Sequence, residues 1–118
     1  MHEGPIVVID DDPAVRETVT EILAFEGYTV AEAQHGADGL ALLEHVNPSL
    51  VLLDMRMPVL DGWGFARSLA AQGRTVPIIV MTAAQDARRW ANEISAVGYL
   101  AKPFELQELL DAVERVHC

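Results

Sequence analysis

The apolar run Ile6-Val7-Val8-Ile9 ends in three consecutive carboxylates, Asp10, Asp11 and Asp12, and then Pro13. Two carboxylates about 4 Å apart repel by roughly 4 kcal/mol at an effective dielectric near 20. Such a cluster either points apart into water or serves something that offsets the repulsion. Other reactive side chains also stand where apolar runs stop: Asp54 after SLVLL, Thr82 after VPIIVM and Lys102 after GYLA. Taken singly, most of these have ordinary explanations. Asp12 before Pro13 suits a helix N-cap, Thr82 could cap a following helix, and a lone lysine is usually solvated. Asp54 fits that pattern less well, because the MRMP after it is not a helix start. Lys102 stands out by type, since the other seven basic residues are all arginine. Lysine offers a compact charge with rotatable donors, suited to a small anion.

Taken together, these residues describe a chemistry. Carboxylates converging from two strands make a site for a hard, oxygen-seeking cation, with Mg2+ the usual choice. A hydroxyl and an ammonium opposite them are donors to an anion. A cation, anion donors and a carboxylate nucleophile suggest phosphoryl transfer onto an aspartate. No glycine-rich phosphate loop follows the first apolar run, so a bound nucleotide is not expected.

The surrounding pattern supplies the elements that must position them. IVVID, SLVLLD and VPIIVMT read as strands buried on both faces, YTVAEA as a more polar strand nearer an edge, and GYLA as a short fifth strand. Between them lie helical patterns. The first begins at Pro13, with Val15, Val19, Ile22 and Leu23 on one face, and stops at Gly27. ADGLALLEHV turns Leu40, Leu43 and Val46 inward and ends at Asn47-Pro48. GFARSLAAQ and AQDARRWANEISA follow, and ELQELLDAVERV closes the chain with Leu106, Leu109, Leu110 and Val113 inward. Strands alternating with helices imply a parallel sheet covered on both faces. In such α/β sheets ligands bind beyond the carboxyl ends of the strands, where the reactive residues stand.

The bulk numbers agree with one domain. The 118 residues suffice for one substantial core, and 51% of them are apolar. No run is long enough to span a membrane, and the N-terminus lacks a secretory pattern, so a cytoplasmic protein is expected. A formal net charge of −10 argues against a nucleic-acid surface. His2, His35, His45 and His117 are scattered without zinc spacing. The single cysteine, Cys118, has no internal partner.

At this point the chain resembles the receiver domain of bacterial two-component response regulators over essentially its whole length. The landmarks are VVIDDDP with Asp10 and Asp11, LLDMRMPVLDG with Asp54, Met57, Pro58, Asp61 and Gly62, MTA with Thr82 and Ala83, and GYLAKPF with Tyr99, Lys102 and Pro103. The resemblance implies a flavodoxin-like, doubly wound fold of five parallel strands in the order 2-1-3-4-5 with five helices. It makes Asp54 the phosphoacceptor, charged by a histidine kinase or a histidine phosphotransfer protein. Asp11, Asp54 and the backbone carbonyl of Arg56 would hold Mg2+, with Asp10 helping through water or by orienting the ion. Lys102, Thr82 and Ala83 would face the phosphoryl group, and Tyr99 would swing inward as Thr82 moves. Pro58 and Gly62 would shape the loop, and the Lys102-Pro103 bond would be cis.

In the same way the resemblance implies no turnover of a metabolite, only self-modification, with output through the fourth helix, fifth strand and fifth helix to an unknown effector. A phosphorylation-dependent homodimer is one output the family uses. Here, however, the segment from Thr82 to Lys102 is a couple of residues short, and AVGY lacks the acid that marks the dimerising subgroup. No output domain is expected within the 118 residues. Two alternative functions make different demands on these residues. A pseudo-receiver that signals without phosphate would be favoured by loss of an acid, the threonine or the lysine, and all are present. A Mg2+-dependent hydrolase would need a second acid two residues beyond the nucleophile, where Arg56 stands.

Overall fold

The computed structural model describes residues 4–117, so His2 and Cys118 lie outside the described residues. Five strands, β1 (Ile6–Ile9), β2 (Val30–Ala33), β3 (Leu50–Asp54), β4 (Ile78–Ala83) and β5 (Gly98–Lys102), pair in parallel in the order β2-β1-β3-β4-β5. They alternate with α1 (Pro13–Phe25), α2 (Gly36–Leu42), α3 (Gly62–Ala71), α4 (Ala84–Glu93) and α5 (Leu106–His117). The strand and helix pattern anticipates the parallel sheet, and the family landmarks anticipate its doubly wound order.

The continuous apolar runs are explained by burial on both sides. Ile6, Val8, Leu50, Leu52, Ile79 and Met81 face Val19 and Leu23 of α1 and Leu109 and Val113 of α5. Their alternates Val7, Ile9, Val51, Leu53 and Val80 meet Leu43 beside α2, Phe65 and Leu69 of α3, and Trp90 of α4. A two-residue side-chain period on a sheet with two covers confines polar residues of the central strands to their carboxyl ends, where Asp54 and Thr82 stand. The edge strand β2 is freer, and Glu32 within it is exposed.

Local chemistry sets most helix ends. Asp12 caps α1, accepting from the Ala14 amide at 3.0 Å with Pro13 in the first turn, and Asp61 caps α3 through Gly64 at 2.9 Å. α1 closes with Gly27 at φ +96°, whose amide donates to Ala24 O at 3.0 Å, while the next amide, of Tyr28, reaches Leu23 O at 3.1 Å. α4 uses the same closure with a residue less suited to it. Ser95 takes φ +55° and donates to Asn92 O at 3.2 Å, and Ala96 donates to Ala91 O at 2.9 Å. The helix therefore stops at Glu93, not at Ala96 as its composition suggests.

Leu106 is a second correction. Its spacing with Leu109 and Val113 predicts an inward side chain, but as the first residue of α5 it is 55% exposed. There it lines a surface groove with Val15, Ile22 and Phe104, while Leu109 and Val113 enter the core.

Candidate functional site

Register brings the reactive residues together. Ile9 pairs with Leu53, so Asp10, just past β1, comes level with Asp54 at the end of β3. Across β4, Asp54 pairs with Met81, Thr82 with Ala101, and Ala83 with Lys102. One end of the sheet thus carries Asp10, Asp54, Thr82 and Lys102 on four neighbouring strands, in the β2-β1-β3-β4-β5 order.

The acids form a tight cluster. Asp10, Asp11 and Asp54 each offer a carboxylate oxygen within 4.8 Å of the others. Asp10 is fully buried and Asp54 is 6% exposed, whereas Asp11 faces solvent. Lys102 answers the two buried acids unequally, its Nζ lying 2.8 Å from Asp10 Oδ2 and 3.8 Å from Asp54 Oδ1. Asp10 also accepts the Asp12 amide at 2.9 Å, and its own carbonyl accepts from Arg16 Nη1 at 2.7 Å. Asp10 is therefore held on several sides.

Asp54 is the less satisfied of the pair. Burial, more than any other cause, pushes its carboxyl up from 3.8 to about 7, and the neighbouring Asp10 charge adds to the rise. Lys102 and the backbone N–H of Arg56 act the other way, favouring the ionised form, while the Asp11 side chain again raises it. A carboxyl balanced near neutrality, facing two other acids and one ammonium, is poised to respond to a cation. All the gathered ligand atoms are carboxylate oxygens, the donor set that suits a hard ion such as Mg2+. The residues present fit that ion.

The other sequence candidates fall around this cluster. Thr82 is buried at 4% exposure as the penultimate residue of β4, so it does not cap α4. Ala83 takes the N-cap position instead, and it has no side-chain hydrogen bond to offer. The Lys102-Pro103 peptide is cis. Tyr99 points largely outward at 47% exposure on β5. In the loop after Asp54, Pro58 precedes Val59, which adopts φ +70°, and the Leu60 amide closes back onto Pro58 O at 2.8 Å. Gly62 lets α3 start hard against this loop: its amide donates to Met55 O at 3.0 Å, and a Cβ there would sit 2.8 Å from Met55 Cα and run into Met55 Sδ.

One participant was not singled out from the sequence. The guanidinium of Arg56, noted above only for its backbone carbonyl, lies over the ring of Trp90 in α4. The available signal was a tryptophan in an otherwise strongly polar helix.

Comparison with known proteins converges on one family. A model described as the response regulator receiver domain matches residues 6–114. The chain is 45% identical over 107 residues to the response regulator MprA of Mycobacterium sp. (strain KMS), an alignment covering 89% of this chain and 46% of that protein. The chain spans about half the length of the curated relatives it matches. Among solved structures, the receiver domain of NtrX from Brucella abortus superposes with a TM-score of 0.86 at 27% identity, covering 94% of this chain and 96% of the other. The chemotaxis response regulator CheY4 of Vibrio cholerae gives 0.86 at 28% identity, covering 95% and 97%.

Proposed function

Since the chain belongs to the response regulator receiver family, we propose that it accepts a phosphoryl group on Asp54 with the help of Mg2+. Membership of the family implies a histidine kinase upstream and an effector downstream. The donor in this reading is the phosphohistidine of such a kinase or of a histidine phosphotransfer protein. An Asp54 oxygen attacks phosphorus, the P–N bond breaks, and the imidazole leaves as an acyl phosphate forms. Bound Mg2+ would neutralise charge on the phosphoryl oxygens and hold the acids together. Asp10, Asp11, Asp54 and the Arg56 carbonyl would hold the ion.

Lys102, now paired with Asp10 at 2.8 Å, would turn to the phosphoryl oxygens as their donor, and Thr82 and the Ala83 amide would complete the anion's surroundings. Drawing Thr82 toward the phosphoryl group would open space for the ring of Tyr99, now 47% exposed. That would alter the surface made by α4, β5 and α5. The activity is self-modification, not turnover of a metabolite. No helix among the described residues is long and apolar enough to cross a membrane.

The convergence of three acids within 4.8 Å, with Lys102 bridging the two buried ones, carries this reading. Incubation with acetyl phosphate and Mg2+ should add one acid-stable, base-labile phosphoryl group, and Asp54→Asn should prevent it. A label that maps to a serine, or persists at parental level in Asp54→Asn, refutes the assignment. No labelling and no response to beryllofluoride would point instead to a phosphate-independent interaction module.

A further inference from the structure

The Arg56 side chain leaves the loop after β3 and sets its guanidinium over the Trp90 ring, 5.0 Å from the centroid. Trp90 is 5% exposed and is the one large side chain among the three buried residues of α4, the others being Ala87 and Ala91. Its ring meets Trp63 of α3 edge-on, with centroids 4.9 Å apart. The Trp63 indole N–H in turn donates to Glu93 Oε1 of α4 at 2.8 Å. Arg89 flanks the same ring at 5.9 Å and is itself held by Asp86 at 2.7 Å. A single indole therefore joins the loop after Asp54, helix α3 and helix α4.

Helix α4 is unusually dependent on that indole. Its N-cap, Ala83, gives no side-chain hydrogen bond, and its remaining buried residues are alanines that bury little area. Whatever grips Trp90 has leverage over the whole helix. At the other end of the link, residue 56 lies only two positions beyond Asp54, and its amide favours the Asp54 carboxylate.

We infer that Arg56 is a positioning residue: by stacking on Trp90, its side chain fixes the backbone beside Asp54 and couples cation occupancy of the acidic site to the placement of α4. This rests on the reading of that site as a Mg2+ site. The link runs on the α3–α4 face of the sheet, apart from the route through Thr82 and Tyr99. Charge alone makes the opposite prediction to positioning. An arginine close to a cation site repels the ion, so its removal should tighten Mg2+ binding if the side chain acts only through its field.

The test uses the 118-residue chain with Trp63→Phe, which keeps an aromatic edge against Trp90 and leaves Trp90 as the sole tryptophan. Calorimetric titration with Mg2+ gives affinity, and Trp90 emission reports α4 in the same samples, with and without Arg56→Met. Met keeps the unbranched stem and removes the guanidinium. We expect Arg56→Met to bind Mg2+ more weakly by at most about five-fold, the ceiling that about 1 kcal/mol for an exposed cation–π contact sets at 1.36 kcal/mol per tenfold. The Trp90 emission change on adding Mg2+ should be lost at the same time. Equal or tighter Mg2+ binding in Arg56→Met overturns the inference, as does a parental Trp90 response in that variant. If Arg56-containing protein shows no Mg2+ binding by calorimetry, the metal-site reading itself fails, and this inference fails with it.

Discussion

Asp54→Asn should stabilise the metal-free protein, and the gain should depend on pH. The Asp54 carboxyl is raised from 3.8 to about 7, chiefly by burial and then by the charge of Asp10. Between those two values the native state holds a proton that the unfolded chain has released. Native stability therefore falls as pH rises from about 4 to about 7 and stays low above that range. A rise of about 3 pH units at 1.36 kcal/mol each sets a ceiling near 4 kcal/mol for the penalty at pH 8. The exposed Asp11 side of the cluster admits water, Lys102 can shift toward Asp54, and asparagine still buries an amide. These effects reduce the expected gain to about 2 kcal/mol.

Urea unfolding with a chelator present, at pH 8 and again at pH 5, measures it directly. At pH 8 the Asp54→Asn midpoint should exceed the parent's by the equivalent of about 2 kcal/mol. At pH 5 only about one of those three pH units has been crossed, because the unfolded carboxyl is already ionised while the native one is not, so the difference should shrink to about a third. Millimolar Mg2+ at pH 8 should then raise the parent's midpoint and close the gap, because a ligand that binds only the native state stabilises it. Equal stabilities at pH 8, or a gain of the same size at both pH values, would refute the electrostatic account of the site.

Two substitutions test other parts of the framework. Lys102→Met removes the cation facing Asp10 and Asp54. Breaking a buried pair costs about 3–5 kcal/mol, and with the lysine side chain 26% exposed we expect about 2 kcal/mol, read as a lower urea midpoint at pH 8 without metal; an unchanged midpoint would show the pair to be energetically idle. Ser95→Gly should raise stability by about 0.5–1 kcal/mol, because Ser95 closes α4 at φ +55° where glycine carries no Cβ penalty; a loss of stability would mean that the serine side chain has a role its backbone angle does not disclose.

The strands were legible because burial on both faces admits little but β-branched and apolar residues, as IVVI, LVLL and IIVM show. The site was legible for a related reason, since in a parallel sheet the residue after each run must emerge at the same end. Helix boundaries were harder to read. The apolar pattern of α4 runs through Ile94 and Ala96, and no residue type announces that Ser95 will take a left-handed conformation. Leu106 matches the spacing of Leu109 and Val113, but periodicity does not say at which turn of a helix burial begins. The Arg56–Trp90 contact was only half legible: a tryptophan in a strongly polar helix marks Trp90 for burial, but its partner depends on the lateral placement of α4 against the loop, which is a tertiary fact.

The unequal reach of Lys102 explains why so many acids can share one strand end. At 2.8 Å from Asp10 and 3.8 Å from Asp54, the lysine commits to the deeper, fully buried carboxylate, which the Asp12 amide also serves. That leaves Asp54 with enough unmet charge to sit near neutrality, not locked as a fully paired ion. A carboxylate tied into a tight salt bridge would be stable and a poor nucleophile, since attack would require breaking the pair. A carboxylate balanced between protonated and ionised forms is released by the arrival of a cation. In the proposed reading, ion binding and generation of the nucleophile are then a single event. In that reading the burial of Asp54, with the charge of Asp10 beside it, makes this linkage work, and stability is given up where the chemistry would use it.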